Sequence, residues 1–376
     1  MNFSHLISFC ASLLFIGTSF SQQTLTGTFS HNGVNRSYII YIPANYSSNS
    51  PVPLLLNFHG YTSSAAVQLA YSNFRPIADT AGFITVHPQG TTDFVNNTHF
   101  NVGWGTSTID DVSFTNALLD TIIANYSIDT TEIYSTGFSN GGFMSYLLAC
   151  QLGNRFAAIA SVGGSMSPST FSNCAPAKVM PVLEIHGTND GTVAYNGSAI
   201  ATHIDTVFSY WVQQNQTSNT PVVTNLPDLN TSDGSTVSRF EYRNGTNGTE
   251  VQLYRVNNGN HTWPGASAGN PNLDISASEV IWNFFKRFDV NGVKLPVSIS
   301  EQSNVQQFKL LNNITANQIN YYSESTSSFE LYNSIGQSIQ FGKIYKGNNS
   351  INLSEFNNDM YFLRVESQTF KVVLAK

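Results

Sequence analysis

The sequence contains few charged side chains. Asp, Glu, Lys and Arg make up only 10% of its 376 residues, whereas about 25% is typical of soluble proteins. The formal net charge of −7 argues against nucleic acid or an anionic membrane surface as a partner. Hydrophobic residues still account for 41% of the chain, which is enough for the cores of one large domain and a smaller one.

The N-terminal apolar run is too short to span a bilayer. It extends from Leu6 to Gly17, whereas a transmembrane helix needs about 20 residues. Ser19-Phe20-Ser21 follows as a small-x-small cleavage site, so residues 1–21 have the pattern of a signal peptide. The first residues lack Lys and Arg, and a buried first helix is the alternative. The pattern predicts a mature chain from Gln22 that is secreted or displayed on the cell surface, without a stable membrane span.

Cysteine is also scarce. Of the three cysteines, Cys10 lies in the predicted signal peptide, which leaves Cys150 and Cys174. An even pair in an exported chain indicates one disulfide bond. Two buried free thiols are the alternative.

The most informative stretch is Gly137-Phe138-Ser139-Asn140-Gly141. It matches the G-x-S-x-G nucleophile elbow and lies between a predicted strand, 133–136, and a predicted helix, 143–148. A serine on so sharp a turn has a strained backbone, and the crowded positions two before and two after it require glycine. The alternative is a glycine-rich turn that contains a serine by chance. The flanking strand and helix favour a nucleophile.

Predicted strands alternate with predicted helices between residues 51 and 288. This alternation predicts an α/β fold whose mostly parallel sheet is covered by helices on both faces. A hairpin precedes it, and the polar residues 221–248 predict an irregular excursion, so the first domain is expected to span 22–288. The predicted strands are 24–30, 36–42, 51–58, 83–87, 133–136, 156–162, 179–186 and 250–256; the predicted helices are 65–81 with a break at Pro76, 110–126, 143–148, 199–214 and 277–288.

The pattern changes after residue 288. Residues 289–303 are polar and predict a linker. Residues 304–376 show no helical period and contain short alternating segments separated by turn signals. They predict a small all-β sandwich domain.

A serine nucleophile needs a base and an orienting acid, which follow it in the order acid, then histidine, after later strands. His261 lies in the loop after the last predicted strand of the first domain, where the base is expected, whereas His203 falls within a predicted amphipathic helix. Asp190 directly follows an apolar strand and is the predicted acid, with Asp228 as the alternative. The predicted triad is therefore Ser139, Asp190 and His261.

Two backbone N–H groups are predicted to stabilise the oxyanion. One belongs to Asn140, which follows the serine, and the other to Tyr61 in the loop after the strand 51–58. Trp104 and Trp263 are candidate substrate-binding residues, although ordinary packing explains Trp104 equally well. Asp110-Asp111 is read as a helix cap rather than a metal site, and no cluster has the spacing of metal ligands.

Four ordered motifs resemble a known family: Gly137 to Gly142, His186-Gly187-Thr188-Asn189-Asp190, Asn260-His261-Thr262-Trp263-Pro264-Gly265 and Asp110-Asp111-Val112-Ser113-Phe114. Together they resemble the secreted poly(3-hydroxybutyrate) depolymerase and feruloyl esterase group of α/β-hydrolases. The resemblance covers the chain from the first hairpin to Phe288. It implies the α/β-hydrolase fold, the same triad and no cofactor, and it supports a disulfide between Cys150 and Cys174.

The C-terminal part resembles a second family. The features are the turn at Gly336, Ile351-Asn352-Leu353-Ser354, the run from Met360 to Val365, and Lys371 before the last apolar residues. They are similar to the C-terminal sorting domain of the type IX secretion system of Gram-negative bacteria, which implies the secretion machinery as a partner. A carbohydrate-binding sandwich is the alternative.

The combined interpretation is a secreted serine hydrolase of carboxylic esters carried on polymers. Feruloyl or acetyl groups on plant polysaccharide and polyhydroxyalkanoate chains are the expected substrates. A serine peptidase of the same fold is one alternative. A non-catalytic polysaccharide-binding protein is another.

Overall fold

The computed structural model of the chain describes residues 22–294, 308–334, 336–366 and 368–376. The predicted signal peptide, 1–21, and residues 295–303 of the predicted linker lie outside the described residues. The chain divides into two compact units, one before and one after residues 295–307. No helix among the described residues has both the length and the apolar character needed to cross a membrane.

The first unit alternates strands and helices along residues 22–294. Its strands are β1 (Gln23–His31), β2 (Val34–Ile42), β3 (Val52–Phe58), β4 (Ile84–Pro88), β5 (Thr91–Thr92), β6 (Thr98–His99), β7 (Ile128–Phe138), β8 (Ala158–Val162), β9 (Val182–Gly187), β10 (Val222–Asn225), β11 (Thr236–Tyr242), β12 (Val251–Asn257), β13 (Phe288–Asp289) and β14 (Gly292–Val293). Its helices are α1 (Ala65–Tyr71), α2 (Arg75–Ala81), α3 (Asp111–Asn125), α4 (Asn140–Gln151), α5 (Pro168–Ser172), α6 (Ile204–Asn215) and α7 (Ala277–Phe285).

One 10-stranded sheet runs through this unit in the order β1-β2-β4-β3-β7-β8-β9-β12-β11-β10. The neighbours from β4 to β12 pair in parallel. The strands at the two edges pair antiparallel. This arrangement confirms the predicted α/β class with a mostly parallel sheet and has the form of the α/β-hydrolase fold.

Two buried cores lie on opposite faces of the sheet. Because successive side chains of a strand point to opposite faces, Leu54 and Leu56 of β3 pack in the core that includes α3, α4 and α6. Leu55 packs in the other core, with α2 and α7. All three are fully buried, and each contributes about 1.5–3 kcal/mol to folding. Such two-sided burial explains why β3 is apolar from Val52 to Leu56.

Two predictions about irregular segments are wrong. Residues 221–248 are not an excursion, because β10 and β11 within them extend the main sheet beyond β12. The predicted linker begins too early, because β13 and β14 form a hairpin at its start. Val290 in that hairpin donates its N–H to the Thr131 carbonyl at 2.9 Å, which ties the segment to the first unit.

The predicted helix 65–81 is two helices. Ser64 caps α1 by accepting the Val67 N–H, and α1 ends at Tyr71. Pro76 lies in the first turn of α2, where its missing N–H leaves no hydrogen bond unmade. The predicted break is confirmed, but it lies at residues 72–74, just before the proline instead of at it.

The second unit covers residues 308–376 apart from 335 and 367 and contains strands without helices in its described part. The strands are β15 (Phe308–Leu310), β16 (Ile314–Thr315), β17 (Gln318–Ser323), β18 (Ser327–Tyr332), β19 (Ser338–Ile344), β20 (Gly347–Asn352), β21 (Asp359–Val365) and β22 (Gln368–Leu374). One sheet has the order β15-β17-β20 and the other β16-β22-β21-β18-β19. Both sheets contribute to one buried core, for example through Ile319 and Leu331, and the all-β prediction is confirmed.

Candidate active site

Ser139 stands on a strained turn between β7 and α4. Its backbone angles are φ 54° and ψ −119°, a region that residues other than glycine rarely adopt and that costs about 1–3 kcal/mol. A Cβ on Gly137 would overlap the Gly141 backbone, and one on Gly141 would overlap the Phe58 carbonyl. These two glycines are therefore required by the close approach of the backbone, as the G-x-S-x-G pattern predicts.

Asp190 lies in the loop after β9 and is held by three donors. Its Oδ1 accepts the N–H groups of Thr192 at 2.8 Å and Val193 at 2.7 Å. Its Oδ2 lies 2.6 Å from Nδ1 of His261. Burial raises the pKa of the Asp190 carboxyl, but the hydrogen bond from His261 and the charges of His261 and His186 lower it below its ordinary value. The carboxyl group is therefore ionised at neutral pH.

His261 follows β12 and is oriented for a role as base. An ionised carboxylate only accepts hydrogen bonds, so Nδ1 of His261 carries the proton and Nε2 is left as an acceptor. The imidazole packs against Phe138, the residue before Ser139, with ring centroids 4.7 Å apart. The parallel strands β7, β9 and β12 end at the same edge of the sheet, and this edge brings the regions of Ser139, Asp190 and His261 together. Their assignment as a catalytic triad stays a prediction.

The loop after β3 lies directly beside Ser139. A Cβ built on Gly60 would be 3.4 Å from Cβ of Ser139, so the Tyr61 backbone is close to the serine. Asn140 is the first residue of α4, where an N–H has no acceptor within the helix. The residues that carry the two N–H groups predicted for the oxyanion are thus close to the serine, and the role of these groups stays a prediction.

His59 braces this loop. Its Nε2 accepts the Gly90 N–H at 3.0 Å, so its Nδ1 carries the proton and donates to the Gly60 carbonyl at 2.7 Å. Burial lowers the pKa of His59 to about 4. A neutral histidine therefore joins the loop after β3 to the loop after β4.

Asn140 also holds the long loop between β4 and α3. Its side-chain amide accepts the Phe100 N–H at 2.8 Å and donates to the Phe100 carbonyl at 3.0 Å. The next residue, Asn101, donates its N–H to Asp111 at 2.7 Å. Asp111 is therefore more than the predicted cap, whereas Asp110 does cap α3 by accepting the Ser113 N–H. The pattern Asp-Asp before a helix did not distinguish these two roles.

The aromatic candidates differ in their surroundings. Trp104 is half-buried and packs edge-on against Tyr61 and Phe143, with centroids 6.1 and 5.2 Å apart. Trp263 is only 1% exposed, packs against Phe138 in an edge-on contact, and donates its indole N–H to a buried serine. Trp104 thus lies beside Tyr61, and its contact with substrate stays a prediction. The burial of Trp263 favours a packing role over the predicted substrate contact.

A disulfide bond joins Cys150 and Cys174. It connects the last turn of α4 with the segment after α5, so it anchors the far end of the helix that begins beside Ser139. Within the ranges that the structure describes, no group of three or more His, Cys, Asp and Glu side chains is arranged to hold a metal ion.

Comparison with known proteins gives a family and several relatives. The sequence model of the prolyl oligopeptidase family matches residues 72–288. Feruloyl esterase D of Neurospora crassa is 28% identical over 279 residues, which cover 71% of this chain and 86% of the relative. A bifunctional acetylxylan esterase/xylanase of Neocallimastix patriciarum is 30% identical over 173 residues, covering 46% of this chain. Feruloyl esterase B of Piromyces equi is 27% identical over 266 residues, covering 68% of this chain.

The matched region makes up less than half of two of these relatives. It covers 24% of the Neocallimastix protein and 46% of the Piromyces protein. In all three cases the similarity lies with proteins named as esterases.

Proposed function

This chain belongs to the prolyl oligopeptidase family of α/β-hydrolases, and from that premise we propose that it hydrolyses carboxylic esters through a serine nucleophile. The observation that carries the proposal is the 2.6 Å hydrogen bond between Asp190 and His261, at the sheet edge where the strained Ser139 stands. A protonated Nδ1 leaves Nε2 of His261 as the atom that can take the serine proton.

The reaction follows from this arrangement. Ser139 attacks the ester carbonyl while Nε2 of His261 takes the hydroxyl proton, and Asp190 stabilises the imidazolium that forms. The N–H groups of Tyr61 and Asn140 stabilise the tetrahedral oxyanion, and the loss of one such donor costs about 3–4 kcal/mol. His261 then protonates the leaving alkoxide. Water, activated by the same histidine, releases the acyl group and frees Ser139.

We propose that the esters are feruloyl or acetyl groups on plant polysaccharide. Three relatives that are named as feruloyl or acetylxylan esterases support this class. The half-buried ring of Trp104 beside Tyr61 suits a planar aromatic acyl group. Polyhydroxyalkanoate is the rival polymer, because the sequence motifs also resemble its depolymerases.

A serine peptidase is the second candidate function. The match to the prolyl oligopeptidase family over residues 72–288 favours it, and the same nucleophile, base and acid can cleave amides. Peptides with an internal proline would then be cleaved, whereas feruloyl and acetyl groups on polysaccharide would not be released.

We also propose that the protein is exported. Residues 1–21 have the pattern of a signal peptide, and the disulfide between Cys150 and Cys174 suits an oxidising compartment. The second unit is proposed to be the type IX sorting domain. Mature extracellular protein that retains Lys376 would contradict removal of this domain after secretion.

The central experiment compares Ser139→Ala with Ser209→Ala, a control on the exposed surface of α6. Hydrolysis of short p-nitrophenyl esters should fall by at least about 10⁴-fold in the first variant and remain unchanged in the second. A fluorophosphonate should label Ser139 in the unmodified protein. Full turnover by folded Ser139→Ala protein would contradict the proposal, and absence of labelling would favour a non-catalytic polysaccharide-binding protein.

Substrate class is tested by product analysis on feruloylated arabinoxylan, acetylated xylan, polyhydroxybutyrate and a proline-containing peptide, side by side. Release of ferulate or acetate at the highest kcat/KM supports the proposed class. Hydroxybutyrate oligomers or peptide fragments as the main product would replace it with one of the rivals.

A further inference from the structure

A buried polar cluster lies directly behind Asp190. Glu184 and His186 on β9 are 0% and 1% exposed, and the predicted triad uses neither of them. Nδ1 of His186 lies 3.0 Å from Oε1 of Glu184. The other carboxyl oxygen, Oε2, accepts the hydroxyl of the buried Tyr146 at 3.1 Å. His186 stands in the motif that ends in Asp190, but its sequence position alone gave it no role.

The partners of His186 determine where its proton lies. Its Nε2 is 2.8 Å from the Val193 carbonyl oxygen, which can only accept, so Nε2–H is the donor. One further proton is then shared between Nδ1 and the Glu184 carboxyl group. Burial raises the pKa of Glu184. Burial lowers the pKa of His186, but its hydrogen bond and charge interaction with Glu184 raise it above the ordinary value.

Val193 connects this cluster to the predicted acid. Its carbonyl accepts from His186, and its N–H donates to Oδ1 of Asp190 at 2.7 Å. Nε2 of His186 also lies 3.6 Å from Oδ2 of Asp190, so the positive end of its N–H faces the carboxylate. His186 thus fixes the loop after β9 through the Val193 carbonyl. The same loop fixes Asp190 through the Val193 N–H, and Asp190 orients His261.

We propose that Glu184 and His186 form a second acid–histidine pair that positions Asp190 through the backbone of Val193. The pair would contact no substrate; Glu184 orients His186, and the Nε2–H of His186 fixes the Val193 carbonyl. This inference rests on the proposed function, since it concerns the acid of the same site. It makes Glu184 and His186 positioning residues.

Two substitutions separate the two contacts of His186. In His186→Asn the amide reaches only as far as Nδ1, so it can contact Glu184 but not Val193. In His186→Gln the amide nitrogen reaches the place of Nε2 and can still donate to Val193. We expect His186→Asn to lower kcat for p-nitrophenyl esters by about 10²-fold, the effect of a misplacement of about 1 Å, with KM unchanged. His186→Gln should recover most of that loss.

His87 provides a matched control. It is a fully buried histidine on β4 of the same sheet, bonded to Thr85 and outside the predicted site. His87→Asn should leave kcat unchanged. If His186→Asn and His87→Asn lowered kcat equally, the loss would come from disturbed packing in general, and the proposal would be overturned.

A spectroscopic readout reports the position of Asp190 without turnover. The Nδ1 proton of His261, bonded to a carboxylate at 2.6 Å, should give a far-downfield proton NMR signal. We expect this signal to shift in His186→Asn and to persist in His186→Gln. An unchanged signal and unchanged kcat in folded His186→Asn would overturn the positioning role.

One measurement needs no variant. Nitrogen-15 NMR of the unmodified protein should show His186 protonated at Nε2, and a histidine protonated only at Nδ1 would contradict the proposal even if the Asn variant does not fold.

Ser139→Ala distinguishes failure of this inference from failure of the proposed function. Residual turnover in that variant would defeat the proposed function, whereas an inactive Ser139→Ala with a normal His186→Asn would defeat only this inference.

Discussion

The ion pair between Arg36 and Asp111 offers a prediction about the loop that Asn140 holds. Both side chains are almost fully buried, 2% and 1% exposed, and Nη2 of Arg36 lies 2.6 Å from Oδ1 of Asp111. The guanidinium group also lies 3.5 Å from the centre of the Phe114 ring. Asp111→Asn would remove the negative charge while keeping an oxygen for the Asn101 N–H, so the buried cation would lose its counter-ion.

The expected loss of stability is large. Removing one partner of a buried ion pair costs about 3–5 kcal/mol, because the remaining charge stays buried without compensation. The retained oxygen places Asp111→Asn at the lower end, about 3 kcal/mol. For a unit of this size that corresponds to a fall in Tm of roughly 6–12 °C.

Differential scanning calorimetry of the full chain can measure this effect, because two units can unfold in separate transitions. Only the transition of the first unit should move. Asp110→Asn is the control: it changes the neighbouring carboxylate, but Asn caps helices about as well as Asp, so its effect should be a few tenths of a kcal/mol. A fall below about 2 °C for Asp111→Asn, or an equal fall for Asp110→Asn, would refute the assignment of a buried ion pair.

Two further predictions concern stability. Replacing Cys150 and Cys174 by serine should lower the free energy of unfolding by about 3–4 kcal/mol, because the disulfide closes a loop with a sequence separation of 24; urea unfolding measures this, and an unchanged midpoint would contradict it. Burial and the charge of Arg75 lower the pKa of His87 to about 3. The unfolded histidine has a pKa of about 6.5 and binds a proton that the folded one does not. The contribution of His87 to stability is therefore fully present above about pH 6.5 and is lost towards pH 3 by about 1.4 kcal/mol per pH unit. His87→Gln should remove this contribution, and an identical pH dependence in both proteins would contradict the prediction.

The parts of the fold that were predicted from sequence are those with strong local signals. The central strands are buried on both faces, so β3 is apolar from Val52 to Leu56. The turn at Ser139 requires two glycines at fixed spacing, a pattern visible without any tertiary contact. The hairpin of β1 and β2 carries clear alternation and an Asn-Gly turn at residues 32–33, which favours a tight connection.

The edge strand β10 was missed because it buries little. In β10, Val222 and Val223 are about half exposed, 48% and 53%, so the segment lacks an apolar face with period two. Its position is determined by backbone pairing to β11, and backbone pairing leaves no mark on the side-chain pattern. The hairpin of β13 and β14 was missed for a different reason, because strands of 2 residues each are too short to show a periodic pattern.

In the site, order along the chain identified Ser139, Asp190 and His261 as candidates, because each follows a strand whose end lies at one edge. The surroundings of each side chain were harder to predict from sequence. Trp263 follows His261 closely in sequence, yet its ring packs in the core. The role of His186 depends on the Val193 carbonyl, a backbone group seven residues away, and sequence reports side chains rather than the partners of backbone groups.

Several of the few charged side chains of this chain are buried. Charged residues are only 10% of the sequence, yet Arg36, Asp111 and Glu184 are all buried, although burying a charge costs several kcal/mol per ion before pairing. Hydrophobic packing cannot hold a loop by its peptide groups, because buried N–H and C=O groups need hydrogen-bonding partners. Asp111 supplies such a partner to one loop directly, and Glu184 supplies one to another through His186. These buried charges therefore hold the two loops that flank Ser139 in a geometry that apolar contacts alone would leave adjustable.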